Sequence, residues 1–191
     1  MAMSERDEWV LAACALAAAL VVWLAGGARP ESAGDTEPLP EWALAPPSRA
    51  ELPPAPAAWL PFDEARFTRH GRAFGRKYVT RSLAGQSAIS GFEERLLDSF
   101  HGGDDSTGWL ISEPFTTATT VRGRVGGGND CARVFVGVLQ NGTVSQRFCG
   151  QNTEVLREFM LVVPAGGQLV IADFAKGGWA HVLVSDLAVA Q

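Results

Sequence analysis

Beyond residue 82 the chain alternates short apolar runs with glycine clusters and polar turns. Seven of these runs read as strands: 109–115, 119–125, 133–140, 144–149, 155–163, 168–174 and 181–189. Runs of this size at near-regular spacing predict an antiparallel sandwich. Within 132–139, Val134, Val136 and Val138 alternate with Arg133, Phe135, Gly137 and Leu139. Both faces of that strand are largely apolar, which predicts a central strand between two layers. Asn141-Gly142 separates it from the next run, and a type I′ hairpin turn needs positive φ at two such residues.

A different pattern fills residues 9–27, an uncharged stretch of nineteen residues with Trp9 and Trp23 near its ends. As a helix it spans roughly 28 Å, the thickness of a bilayer's hydrocarbon, with indoles at the two interfaces. The prediction is a single membrane pass contacting lipid. A cleaved signal peptide is the rival, since Gly26-Gly27-Ala28 supplies small residues for a cut. The leader argues against it, because Glu5, Asp7 and Glu8 outweigh Arg6 where a signal peptide is basic. Leu11-Ala12-Ala13-Cys14 spells a lipoprotein box, but its apolar stretch follows the cysteine instead of preceding it. Arg6 and Arg29 flank the stretch evenly, so the positive-inside rule barely orients it.

Composition then separates three segments that averages over the 191 residues conceal. Nine of the eleven prolines lie between Pro30 and Pro61. That stretch cannot bury a core, and as polyproline II it reaches at most roughly 100 Å. The organisation expected is an anchor over 1–28, a Pro/Ala/Glu-rich linker over 29–61 and a β-sandwich over 62–191. Trp42 and Trp59 are unusual in a spacer and read as docking residues. The lead-in of the domain, 62–81, is basic, with Arg66, Arg69, Arg72, Arg76, Lys77 and Arg81 against Asp63 and Glu64. It reads as a solvated face, with anionic lipid or acidic polysaccharide as the alternative contact. Nucleic acid is not expected, because residues 82–191 carry eleven acids against seven bases and would repel phosphate.

Cys131 and Cys149 bracket the predicted hairpin. A regular register places Cys149 nearly opposite Val134, and a bulge near Asp130 or Ala132 would bring the sulfurs together; two independent buried thiols are the alternative. A disulfide there fits an oxidising compartment and would stabilise by about 3 kcal/mol on the chain-entropy model. Structural zinc is not expected, since no Cys-x-x-Cys occurs and the histidines are His70, His101 and His181. Gly126 to Gly128 reads as a tight bend or close sheet contact, because no phosphate-binding glycine motif is present.

Six blocks in order carry a resemblance: Asp98-Ser99-Phe100-His101-Gly102-Gly103-Asp104, the Thr107 to Phe115 run, Val125-Gly126-Gly127-Gly128, Asn141-Gly142, Gly150-Gln151-Asn152-Thr153-Glu154, and Gly177-Gly178-Trp179-Ala180-His181-Val182. Together they resemble the β-sandwich accessory module attached to bacterial levanase- and invertase-type glycoside hydrolases, similar copies of which occur on bacterial membrane proteins. The resemblance covers roughly residues 71–189 and implies a mainly β, galactose-binding-like antiparallel jelly roll. The hydrolase's catalytic propeller is not part of it. Two departures stand out: Leu161-Val162-Val163-Pro164 replaces the module's usual Trp-Asp-Val, and Ser185 stands where an Asp is usual, with Asp186 displaced by one.

The candidate ligand-binding residues are Trp109, Trp179, His181, Asp104 and Asp105. Trp179 and His181, two apart on the expected last strand, would share a face, where an indole stacks on a sugar and an imidazole bonds its hydroxyls. The competing reading is a core tryptophan beside a histidine locked by hydrogen bonds. Asp104 and Asp105 with Asp98 offer oxygen ligands for structural calcium, but without complete calcium-loop spacing they read first as solvated turn acids. No Gly-x-Ser-x-Gly elbow and no His-Glu-x-x-His occurs, and no enzyme is expected. The function expected is a membrane-anchored, extracytoplasmic, non-catalytic module binding cell-envelope carbohydrate. The alternative is a structural accessory subunit of an integral membrane protein complex.

Overall fold

A computed structural model describes residues 38–44, 56, 58–76 and 78–191. The expected membrane anchor of residues 9–27, its Cys14 and most of the linker lie outside the described residues. Among those described, no helix is long and apolar enough to cross a membrane. Ten strands form: β1 (Trp59–Pro61), β2 (Phe67–Gly71), β3 (Leu96–Asp98), β4 (Gly108–Ser112), β5 (Thr119–Gly127), β6 (Val134–Gln140), β7 (Thr143–Phe148), β8 (Thr153–Val163), β9 (Gln168–Asp173) and β10 (Val182–Ala190). Their pairings, all antiparallel, make two five-stranded sheets. The first runs β1-β10-β5-β8, with β3 also paired to β10, and the second β2-β4-β9-β6-β7.

All seven strands read from the alternation occur, shifted at their ends by a few residues. The largest shift is in β4, which stops at Ser112 before Pro114, a residue with no N–H for a ladder. The three strands the pattern did not show are β1, β2 and β3, of three to five residues. The basic lead-in is accordingly more than a solvated face. Phe67–Gly71 is the edge strand β2, and Phe62, Phe67 and Phe74 enter the core while the arginines stay outward. Between the sheets, Val121 and Val125 of β5, Phe159 and Leu161 of β8, Leu169 and Ile171 of β9, and Val182 and Val184 of β10 meet Val134, Val136 and Val138 of β6.

The position of β6 corrects the expectation of a central strand between two layers. It lies next to the edge strand β7, and its second apolar face is covered by a chain segment instead of a sheet. Residues Glu41–Leu44 form a 3₁₀ turn whose Trp42 ring meets Trp109 at 6.4 Å and Phe174 at 5.8 Å. Arg147 holds that turn, its guanidinium 4.3 Å from the Phe135 ring centroid and donating to the carbonyls of Trp42 and Ala43 at 3.4 and 3.3 Å. Two pieces of the Pro-rich segment, this turn and β1, therefore lie on the sandwich.

The β6–β7 turn has φ of 50° at Asn141 and 72° at Gly142, the positive pair that a type I′ turn requires. The bulge falls at Gln146 (φ 50°), where Gly137 pairs with Arg147 but Val138 pairs with Ser145. Its side chain caps an edge of the other sheet, accepting from the Val162 N–H at 2.9 Å and donating to the Val162 carbonyl at 2.7 Å. Cys131 and Cys149 are bonded, with 5.1 Å between Cα atoms. The bulge expected at Asp130 or Ala132 is replaced by a tight turn, in which the N–H groups of Arg133 and Val134 both bond the Asp130 carbonyl at 2.9 and 2.7 Å. That turn folds Cys131 back over the hairpin.

A second bulge decides where the charges of the first sheet go. On β10, Val184 and Leu187 both face the core although they are three residues apart, so one residue must be extra. The register confirms it: Ser185 pairs with Arg124 and Ala188 with Arg122. Asp186, at φ 53°, is turned out of the ladder.

Candidate functional site

Two regions gather the chain's chemistry. The first is at the end of the sandwich where β10 begins. Gly127 (φ 90°) and Gly128 let β5 pass against the chain before β10, since a Cβ on either would run into the carbonyls of His181 and Trp179. The Gly128 N–H bonds the His181 carbonyl at 2.9 Å. The triple glycine is thus a close backbone contact.

Neither Trp179 nor His181 lies on a strand, because β10 starts at Val182. Their rings still stack, centroids 5.8 Å apart at 28°, because the left-handed backbone of Trp179 (φ 64°) turns the indole back over the imidazole. Trp179 is 38% exposed, whereas His181 is 3% exposed. Its Nδ1 lies 2.7 Å from Asp104 Oδ1 and its Nε2 3.2 Å from the Glu154 carboxylate. Burial opposes a charged ring, but the hydrogen bonds and charges of Glu154 and Asp104 outweigh it and hold the imidazolium to about 9. Both ring nitrogens therefore donate near neutral pH.

Two more carboxyl groups lie under this end. Asp98 Oδ1 accepts the Phe100 N–H at 2.8 Å, while burial pushes the group up to about 6. Asp173 is completely buried and pushed up to about 8, so it is mostly protonated at neutral pH. The Ser99 hydroxyl donates to it at 2.7 Å and accepts the Val182 N–H at 2.8 Å. The cluster ties together the stretch before β4, the start of β8 and the stretch before β10. Asp105 stands outside it, exposed, and Trp109 is far more covered than a ligand platform requires. It is 7% exposed, packed on Phe174 and Trp42 and stacked on His70 at 4.7 Å. Among the described residues no group of three acids, histidines or cysteines is arranged to hold a metal ion.

The second region is the outer face of the first sheet. Arg122 and Arg124 alternate on β5 with the buried Val121 and Val125, so they point away from the core. With Trp59, Glu158, Met160 and Asp186 they line an open groove of about 930 Å³. The Arg122 guanidinium lies 4.5 Å from the Trp59 ring centroid and makes no ion pair among the described residues. Arg124 is fully engaged: with Asp186 at 3.6 Å, with Glu158 at 3.8 Å, and with the Gly91 carbonyl at 2.9 Å. The sequence signalled Trp59 only as a tryptophan out of place in a spacer. Arg122 gave no signal, because nothing local says that a segment 63 residues upstream reaches its side chain.

No family model matches this chain, and no curated protein does. Among solved structures, the K3 cleaved adhesin domain of Lys-gingipain from Porphyromonas gingivalis is similar at 13% identity and a TM-score of 0.43, over 71% of this chain and 99% of that one. A family 35 carbohydrate-binding module from Clostridium thermocellum is similar at 14% identity and a TM-score of 0.39, over 70% and 98%. At these scores neither fixes a strand order or a site here.

Proposed function

We propose that this chain is a non-catalytic, membrane-tethered module whose sandwich, a galactose-binding-like jelly roll, stands outside the cytoplasm and binds envelope carbohydrate in the groove of its first sheet. The observation that carries the reading is the Trp59–Arg122 pair in that groove. A partly exposed indole braced by a guanidinium offers a stacking surface with N–H donors beside it, which is what a sugar ring with its hydroxyls needs. The groove's size is that of a ligand site, and its acids and bases supply acceptors and donors along one wall. The Cys131–Cys149 bond supports an oxidising compartment, and the apolar stretch of residues 9–27 supplies the tether.

Binding of the full-length chain, held in detergent, to a panel of bacterial envelope polysaccharides tests this. Trp59→Ala should weaken the retained glycan at least about tenfold with the melting temperature kept. Retention of no glycan, or equal retention by Trp59→Ala, would overturn the groove as the site. Protease added outside sealed cells should cut within the exposed loops of residues 62–191, and complete protection would overturn the topology.

A further inference from the structure

Past Pro61 and Asp186 the groove continues into a smaller polar pocket of about 120 Å³, with which it shares Glu93 and Leu187 as well. Four carboxyl groups line that pocket, those of Glu64, Glu93, Glu94 and Asp186, against the single guanidinium of Arg95. Asp186 already pairs with Arg124 at 3.6 Å, and the Arg95 guanidinium, over the Tyr78 ring at 4.8 Å from the centroid, acts on Glu64, so Glu93 and Glu94 are the carboxylates left without a matching cation among the described residues. Glu93 and Glu94 are exposed, and Asp186 is delivered there by the β10 bulge.

Glu64 makes the pocket more than a patch of surface acid. It is 8% exposed, and its Oε2 has no hydrogen-bond partner among the described residues. The Tyr78 hydroxyl bonds the same carboxyl. Burial raises its pKa, against the pull of Tyr78, Arg95 and Arg69, while Asp186 adds to the rise. A buried carboxyl oxygen without a donor costs free energy that an incoming donor would recover.

We propose that this pocket is a subsite for a protonated primary amine, so that the glycan taken by the groove is one bearing free amino sugars. An ammonium brings three N–H donors and a positive charge, enough to meet several carboxylates at once. A sugar hydroxyl brings one donor and leaves the charge imbalance standing. A metal ion fits less well, since no three of these side chains are arranged around a common ligating point. The inference rests on the groove being the carbohydrate site.

The test is calorimetric titration of the full-length chain with a β-1,4-linked glucosamine hexamer, its fully N-acetylated counterpart and the corresponding glucose hexamer. The amine-bearing hexamer should bind at least about tenfold more tightly than the other two. In a Glu94→Gln variant, whose residue is exposed, lines only the smaller pocket and leaves the fold intact, that preference should shrink while binding of the neutral hexamers persists. Glu64→Gln should shrink it further with an unchanged melting temperature. Equal binding of all three, abolished by Trp59→Ala, would overturn the amine subsite and leave the groove reading standing. No binding of any of them would overturn both. Calcium that raises the melting temperature of the wild type but not of Glu64→Gln would also overturn the subsite, making it a cation site.

Discussion

The His181 end and the groove of the first sheet both concentrate charge, but they differ in what the charges have left to do. At the His181 end each ring nitrogen faces a carboxylate and the backbone around it is closed by glycine contacts, while Asp98 Oδ2 and Asp173 Oδ1 are buried there without a hydrogen-bond partner among the described residues, in groups that burial pushes toward the protonated form. In the groove and its acidic pocket, Arg124 takes up Asp186 and Glu158, but Arg122, Glu93 and Glu94 make no ion pair among the described residues. A buried polar group that is fully paired inside the protein fixes a fold, whereas charge left unmatched beside a cavity is matched by a ligand. Both regions hold a tryptophan with partial exposure, so the tryptophan alone does not tell them apart. The partners of the charged groups do.

The comparison breaks first at His181. Its replacement by alanine leaves the buried Glu154 and the half-buried Asp104 without their cation, a loss of roughly 3–5 kcal/mol that urea unfolding would measure. A cost below about 1 kcal/mol would mean that this end does not hold the sandwich. Reduction of the Cys131–Cys149 bond, which closes an 18-residue separation, should cost about 3 kcal/mol and lower the melting temperature. An unchanged melting curve under reductant would contradict it.

Protonation sharpens the contrast. His181 is raised to about 9, so the stability it adds is complete below its unfolded value of 6.5 and is lost as pH climbs through 9. Asp98 and Asp173 are also raised, to about 6 and 8, and each costs stability as it ionises above its unfolded value of 3.8. All three groups bind protons more tightly in the folded state, so stability should fall between pH 5 and pH 9, by several kcal/mol. A flat or rising melting temperature over that range would count against the cluster. The smallest effect belongs to the groove: Arg122→Ala should change stability by about 0.5 kcal/mol or less, since its side chain is exposed and pairs only with the Trp59 ring. A much larger loss would make Arg122 a structural residue.

The longer strands were legible in the sequence as apolar runs between turns, and the Asn141-Gly142 turn pinned the β6–β7 register as far as Val138 and Ser145, beyond which the Gln146 bulge shifts it by one. β1 to β3 were not, because three to five residues give no period to read. The bulges left a fainter trace. Val184 and Leu187 are both apolar and three apart, a break in strand parity that marks Asp186 as the extra residue. Of the His181 cluster, His181 was picked out as a sugar-facing group and Asp104 as a candidate ligand that reads first as a turn acid, and their contact with each other across 77 residues was not visible. Glu154 completes it from another strand. The groove was illegible for the same reason, since β1, β5, β8 and β10 meet there only through the fold.

The central claim is that the groove faces the ligand and the His181 end does not, and it rests on two tryptophans. Glycan titration of Trp59→Ala and Trp179→Ala, each with its melting temperature, tests it most directly. The account predicts that Trp59→Ala loses at least about tenfold in affinity while Trp179→Ala binds as the wild type does. Loss of binding in Trp179→Ala with retention in Trp59→Ala, both folded, would contradict it and return the site to the end of the sandwich.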